Sequence, residues 1–288
     1  MTALRHALLL LILLPLAACK NDAPAPVAAG DATPAATQAA GKAASAEDPQ
    51  RAAQAEAAVQ AAAEAAAKAP PPVEGTDYVT IPNGQPFDTA PGRIEVVEFF
   101  GYVCPFCAAV QPQVSAMKAK LPPDVHFVCV PAAFGAMWDN YAKAFYAAEA
   151  MGLVDKTHDA MFRAIHIDQT LKGERGMDKP EEIAAYYANY GANPAQFLNS
   201  MQSFAVASKV NRGKQYMMAA FANGDTPSTP TFLINGKYRV KGKSVDDMFR
   251  ILNQLIVAER AKLAAAPAPA ATEAPAAPAG DAAPAPQG

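Results

Sequence analysis

Ile94-Glu95-Val96-Val97-Glu98-Phe99-Phe100, then Gly101-Tyr102-Val103, then Cys104-Pro105-Phe106-Cys107: the reading of this stretch decides the fold. The first seven residues are β-branched and aromatic enough to read as a buried strand. Beyond the cysteines, Ala108, Ala109, Val110, Val114, Met117 and Leu121 recur at roughly helical spacing. A C-x-x-C at a strand-to-helix junction sets its first thiol against the free amides of a helix N-terminus. Those amides and the helix dipole favour the thiolate, the form that attacks disulfides. A zinc half-site and a structural disulfide are the other uses of such a pair. Zinc requires a second Cys/His pair, and Cys129 with four scattered histidines offers no such spacing.

The N-terminus points to the compartment. Arg5 and His6 precede an apolar run from Ala7 to Leu16, too short to span a bilayer and shaped like a signal-peptide core. The run ends Leu16-Ala17-Ala18-Cys19, which resembles the lipobox of bacterial lipoproteins; residues 1–18 then form the signal and Cys19 is the lipidated first residue. Lys20 follows where an inner-membrane retention cue would carry Asp, which favours the outer membrane. The compartment expected is the periplasm, where disulfides persist.

Residues 19–73 are mostly Ala, Pro, Gly, Gln and Glu, without aromatics, and read as a linker that buries too little apolar surface to fold by itself. Within them, Asp48 to Lys68 is Ala-rich and predicts a solvated helix with no heptad seam. Residues 264–288 are Ala-Pro repeats and read as a disordered, extended tail. Residues 74–263 remain as one domain of ordinary size. A formal net charge of −3, with no basic cluster and no Gly-rich phosphate loop, points away from nucleic acid and nucleotides. A monomer is expected.

Along the domain, Tyr78-Val79-Thr80-Ile81 predicts a short strand and Val125 to Val130 another. From about 138 to 210 the pattern is helical. Tyr141, Ala144, Phe145 and Ala148 mark one face, and Met161, Phe162 and Ile165 a second. Ile183, Tyr186, Tyr187 and Tyr190 mark a third, ended by Gly191, and Phe197, Met201 and Phe204 a fourth. A separate helix through Met217, Met218 and Phe221 follows. Strand returns at Thr231 to Ile234 and Lys237 to Val240, joined by Asn235-Gly236, a strong two-residue hairpin signal. A last helix spans Val245 to Leu263.

The order is that of an α/β thioredoxin-like fold with an inserted all-helical subdomain. Glu98 to Cys107 resembles the active-site segment of the DsbA family of periplasmic thiol:disulfide oxidoreductases. Thr229-Pro230-Thr231-Phe232-Leu233-Ile234-Asn235-Gly236-Lys237-Tyr238 is similar to that family's cis-proline strand and hairpin. The likeness spans nearly all of residues 76–263.

The resemblance implies the following roles. Cys104 is the exposed nucleophile that forms mixed disulfides, and Cys107 the resolving thiol. Pro105 and Phe106 stand between them against the substrate. Pro230 is the cis-proline, and the backbone of Thr229 pairs with an extended substrate. Glu98 faces the core as proton acceptor for the buried cysteine. Substrates are reduced or unfolded exported proteins, and a quinone-linked membrane partner reoxidises the pair. No metal or organic cofactor is required. Phe106 departs from the best-known family pattern, which has His there. Without that histidine's charge and hydrogen bond, a higher Cys104 pKa and a less oxidising disulfide are expected. Cys129, alternating with Val128 and Val130, reads as a buried inert thiol; Phe134, Met137 and Trp138 read as core; His158 and His166 read as structural.

Overall fold

The computed structural model describes residues 49–88 and 92–265. The expected signal peptide, the lipobox with Cys19, the first part of the linker and the Ala-Pro tail from residue 266 lie outside these residues.

Five strands form one mixed sheet in the order β1-β5-β4-β2-β3: β1 (Tyr78–Thr80), β2 (Ile94–Phe100), β3 (Val125–Pro131), β4 (Thr231–Ile234) and β5 (Tyr238–Val240). β2 lies between β3, parallel to it, and β4, antiparallel. All seven of its residues are buried, which explains its almost unbroken apolar run. The β4–β5 turn places Asn235 at φ 50° and Gly236 at φ 64°, both left-handed, but Ile234 pairs with Tyr238, so the loop holds three residues rather than the two expected.

Side chains alternate across β2 and divide the core. Ile94 and Val96 pack with Val110 and Val114 of α2 (Pro105–Lys118) and with Ile251, Leu252 and Leu255 of α8 (Val245–Ala265). Val97 and Phe99 face the opposite side, against Met217 and Ala220 of α7 (Phe204–Ala220). The inserted subdomain comprises α3 (Ala136–Ala150), α4 (Val154–His166), α5 (Pro180–Tyr187) and α6 (Pro194–Met201), with the start of α7. Local chemistry sets its helix starts. Pro180 and Pro194 stand in first turns, where no intrahelical amide bond is lost, and Asn193 and Ser203 accept from the amides of Gln196 and Val206.

Two expectations change here. Phe204 does not complete the fourth helical face; it opens α7 and is 89% exposed. The segments taken as the end of the subdomain and a separate helix are one helix. Val206 and Val210 of α7 pack in the subdomain, Met217 and Ala220 under the sheet, and Gly213 between them allows close contact with Val130 and Tyr146.

The helix expected in the linker is present as α1 (Pro49–Lys68), but it is not free in solvent. Val59, Ala63, Ala66 and Ala69, three or four residues apart, are partly covered on one side. The buried Gln254 of α8 donates from Nε2 to the carbonyl of Pro70 at 2.7 Å and reaches those of Ala66 and Ala69 at 3.4 Å. One side chain thus supplies a donor chiefly to the Pro70 carbonyl just past the end of α1.

Candidate active site

β2 delivers Gly101-Tyr102-Val103 to the N-terminus of α2, and Cys104 is the N-cap residue of that helix. Pro105 occupies the first turn, and the helix continues through Pro112. The amide of Cys107 donates to the sulfur of Cys104 at 3.3 Å. The Thr229–Pro230 bond is cis, and the carbonyl oxygen of Thr229 lies 3.6 Å from the Cys104 sulfur. Cys104, Cys107 and Cys129 are all free thiols.

Cys104 was expected to be exposed, yet it is only 7% so, because the Thr229–Pro230 loop covers its sulfur. Its pKa is lowered to about 6, first by a hydrogen bond from the neighbouring Cys107 side chain, then by Thr229 and the amides of Cys107 and Phe106. Burial opposes this and is overcome. Cys107 is driven far the other way, by burial and then by Cys104. One thiol is therefore ionised near neutrality and the other protonated, the division a dithiol–disulfide pair needs for attack and resolution.

Phe106 projects from the first turn of α2 with half its surface exposed. Phe134, expected in the core, is 45% exposed and lies against Trp138 with ring centroids 4.9 Å apart. The Trp138 ring fills the place a Cβ would take at Gly101, so glycine there lets the indole lie on the backbone three residues before Cys104. Phe106 is exposed as a substrate-facing residue would be, Phe134 departs from its core expectation, and Trp138, half-buried, packs on the core while its ring lies over Gly101.

Glu98 is 1% exposed on β2, and neither carboxylate oxygen has a hydrogen-bond partner. It touches neither cysteine of the pair through a hydrogen bond; its in-register neighbours are Cys129 on β3 and Phe232 on β4. Burial pushes its pKa up to about 8. Glu95, on the other face of the same strand, accepts from the amides of Phe87 and Asp88. The two carboxylates share a strand and differ in environment.

Sequence reasoning missed how the active-site loop is held. Tyr102 lies between two histidines of α4: its hydroxyl is 3.0 Å from His158 Nδ1, and its carbonyl accepts from His166 Nε2 at 2.7 Å. Burial lowers the His158 pKa to about 4, so it is neutral across the physiological range. Also missed were Gln111 and Ser115, four and eight residues after Cys107 and so on its side of α2; both donate to Asp159 of α4. That i, i+4, i+8 spacing was the available signal.

Comparison with known proteins agrees with this geometry. Residues 90–254 match the family model described as Thioredoxin. The thiol:disulfide interchange protein DsbA of Pseudomonas aeruginosa is 37% identical over 190 residues, 65% of this chain and 85% of that protein. The protein of the same name from Bordetella pertussis is 34% identical over 187 residues, 64% and 84% of the two chains. Among solved structures, oxidoreductase DsbA from Xylella fastidiosa superposes with a TM-score of 0.62 at 39% identity, covering 66% of this chain and 98% of that one. Pseudomonas aeruginosa DsbA gives 0.58 at 36%, covering 65% and 94%.

A thioredoxin fold carrying a C-x-x-C at a helix N-terminus beside a cis-proline is the architecture of a thiol:disulfide oxidoreductase, and that is this protein's activity. The chain belongs to the DsbA family.

Proposed function

We propose that the protein is a lipid-anchored periplasmic oxidase that introduces disulfide bonds into exported proteins. The observation that carries this reading is the Cys104 sulfur at the head of α2, accepting from the Cys107 amide, with its pKa lowered to about 6. A sulfur whose thiolate is that stable is a good leaving group, so a disulfide built on it is readily given up.

In the forward direction a substrate thiolate attacks Cys104 of the oxidised pair. The Cys104–Cys107 bond breaks, and Cys107 leaves as a thiolate that takes up a proton. The second substrate thiolate then attacks the substrate sulfur of the mixed disulfide, and Cys104 leaves as the stabilised thiolate. Two electrons have passed from the substrate dithiol to the cysteine pair, and a quinone-linked membrane protein accepts them when the pair is reoxidised. Pro105 and Phe106 face the substrate, Thr229 pairs with its backbone beside Pro230, and Glu98 serves the proton of Cys107.

Location follows from the leader. Residues 1–18 act as a lipoprotein signal and Cys19 carries the lipid, with the outer membrane favoured by Lys20. Residues 19–73 join the anchor to the domain, whose last helix α8 runs to Ala265, two residues into the stretch 264–288 expected as a tail. Among the described residues no helix is long and apolar enough to cross a membrane.

Phe106 in place of histidine favours a second reading, a reductase or isomerase on the same site. The reduction potential of the Cys104–Cys107 pair, equilibrated with a glutathione buffer at neutral pH, separates the two. A value of roughly −180 mV or higher supports the oxidase, and one near thioredoxin's ~−270 mV supports the reductase.

A further inference from the structure

The segment between α7 and β4 carries Thr229, whose carbonyl covers the Cys104 sulfur at 3.6 Å. Residues 222–226 and Ser228 are exposed, and Gly224 turns the chain at φ 93°. Apart from bonds within its own turn and to the end of α7, the stretch 222–228 takes its hydrogen bonds from two side chains among the described residues. Thr231, at the head of β4, donates from Oγ1 to the Ser228 carbonyl at 2.8 Å. Arg239 of β5 holds the other end: Nη2 donates to Asn223 Oδ1 at 3.2 Å and pairs with the Asp225 carboxylate.

Arginine is costly at this place. Residue 239 stands in register with Val79 of β1 and Leu233 of β4 and is 5% exposed. Its guanidinium lies 4.1 Å from the centre of the buried Phe221 ring at the end of α7, and its Nε is buried without a partner. An apolar side chain of similar length commonly serves stability as well as such a buried charge, or better. Nor does Asp225 require the arginine for its solvation, since it is exposed to water. Arg239 does hold that carboxyl below its ordinary range, ahead of Asn223. What an apolar residue could not do is grip Asn223 and Asp225. Only Thr226 and Pro227 separate Asp225 from Ser228, and the proline ring fixes its own φ, so few free dihedrals lie between the arginine's grip and Thr229. Cys104 ionisation is set by Cys107, Thr229 and the Phe106 amide. Arg239 therefore reaches the sulfur through the placement of Thr229.

We propose that Arg239 is a positioning residue that sets substrate preference. By fixing Asn223 and Asp225 it holds the Thr229 backbone both as the cover of the Cys104 sulfur and as the edge along which an extended polypeptide pairs. The site then favours thiols carried on a peptide over small free thiols. This role rests on the reading of Thr229 as the partner of the substrate backbone.

The test uses the full chain, oxidised, in stopped-flow with two reductants: a two-cysteine peptide and dithiothreitol, which has no backbone to pair. Arg239→Met keeps the length and the apolar packing on Phe221 and releases the loop. The peptide concentration giving half the limiting rate is expected to rise about tenfold, the loss of roughly one to two hydrogen bonds, while dithiothreitol opens the disulfide faster under a looser cover. Urea unfolding of this variant is expected to match the parent or exceed it. Asp225→Asn, a change at an exposed position, is expected to act in the same directions, and the double variant to be no worse than Arg239→Met alone, because the two side chains act as one unit. An unchanged peptide requirement in both single variants, or equal slowing with both reductants, overturns the positioning role. The same peptide N-methylated beside its first cysteine tests the underlying reading. If the parent takes it as readily as the unmodified peptide, Thr229 pairing itself fails; if the parent discriminates against it and Arg239→Met behaves as the parent throughout, only the role of Arg239 fails.

Discussion

The sulfur of Cys104 stands 3.3 Å from the backbone nitrogen of Cys107, inside the first turn of α2. The amide that reads as the resolving residue's own main chain therefore stabilises the thiolate three positions earlier. Helix geometry imposes this on any C-x-x-C placed with its first cysteine at the N-cap.

The first prediction concerns pH. In the dithiol form Cys104 ionises at about 6, well below an ordinary thiol, while Cys107 stays protonated. Between those two values the unfolded chain binds more protons than the folded one, so stability of the reduced protein rises with pH. The gain is complete above the ordinary thiol value and is lost as pH falls through 6. Melting temperatures of reduced and oxidised protein across this window should show a difference that grows with pH. Thiolate absorbance should titrate near 6 in the parent and vanish there in Cys104→Ser.

Phe106→His restores the hydrogen bond and partial charge missing between the cysteines. The Cys104 thiolate should become more stable and the disulfide more oxidising, by about 30 mV, a tenfold shift in equilibrium with glutathione. An unchanged or lower potential in the variant contradicts this account of Phe106.

Glu98→Gln probes a carboxyl whose folded pKa is raised to about 8 by burial. Here the folded state binds the extra proton, so ionisation destabilises the fold progressively as pH rises from the ordinary carboxylate value toward 8. The variant should be more stable than the parent at pH 8 by about 4 kcal/mol, and the difference should disappear in acid. Urea unfolding at three pH values measures it; a constant difference would place the effect in packing instead.

Gln254→Ala removes the donor that holds the C-terminus of α1. Amides of residues 49–70 should exchange with solvent faster, while those of β2 and β4 stay protected, because local opening need not cross the core. Hydrogen exchange read by mass spectrometry distinguishes this from a global loss of stability.

Much of this protein was legible in the chain. The buried run Ile94 to Phe100, the C-x-x-C at its end, Asn235-Gly236 between two strands and the apolar face of α8 each signal through local chemistry: β-branching, helix-terminal amides, positive φ and periodicity. Such signals survive without knowledge of what lies across the core. The role of Glu98 as an unpartnered carboxyl was not legible, since Glu95, three residues earlier on the same strand, finds two backbone amides and Glu98 finds none. Nor was the covering of Cys104 by Thr229, separated from it by 125 residues. Phe134 read as core but lies in the loop before α3, 45% exposed, because hydrophobicity alone does not say which residues a loop turns to solvent; Trp138, half-buried, does pack against the core. The joining of two segments into α7 and the seating of α1 on Gln254 were equally hidden. Composition and spacing determine which elements form; only the packing of elements remote in sequence decides which polar groups find partners, and the site's chemistry depends on those that do not.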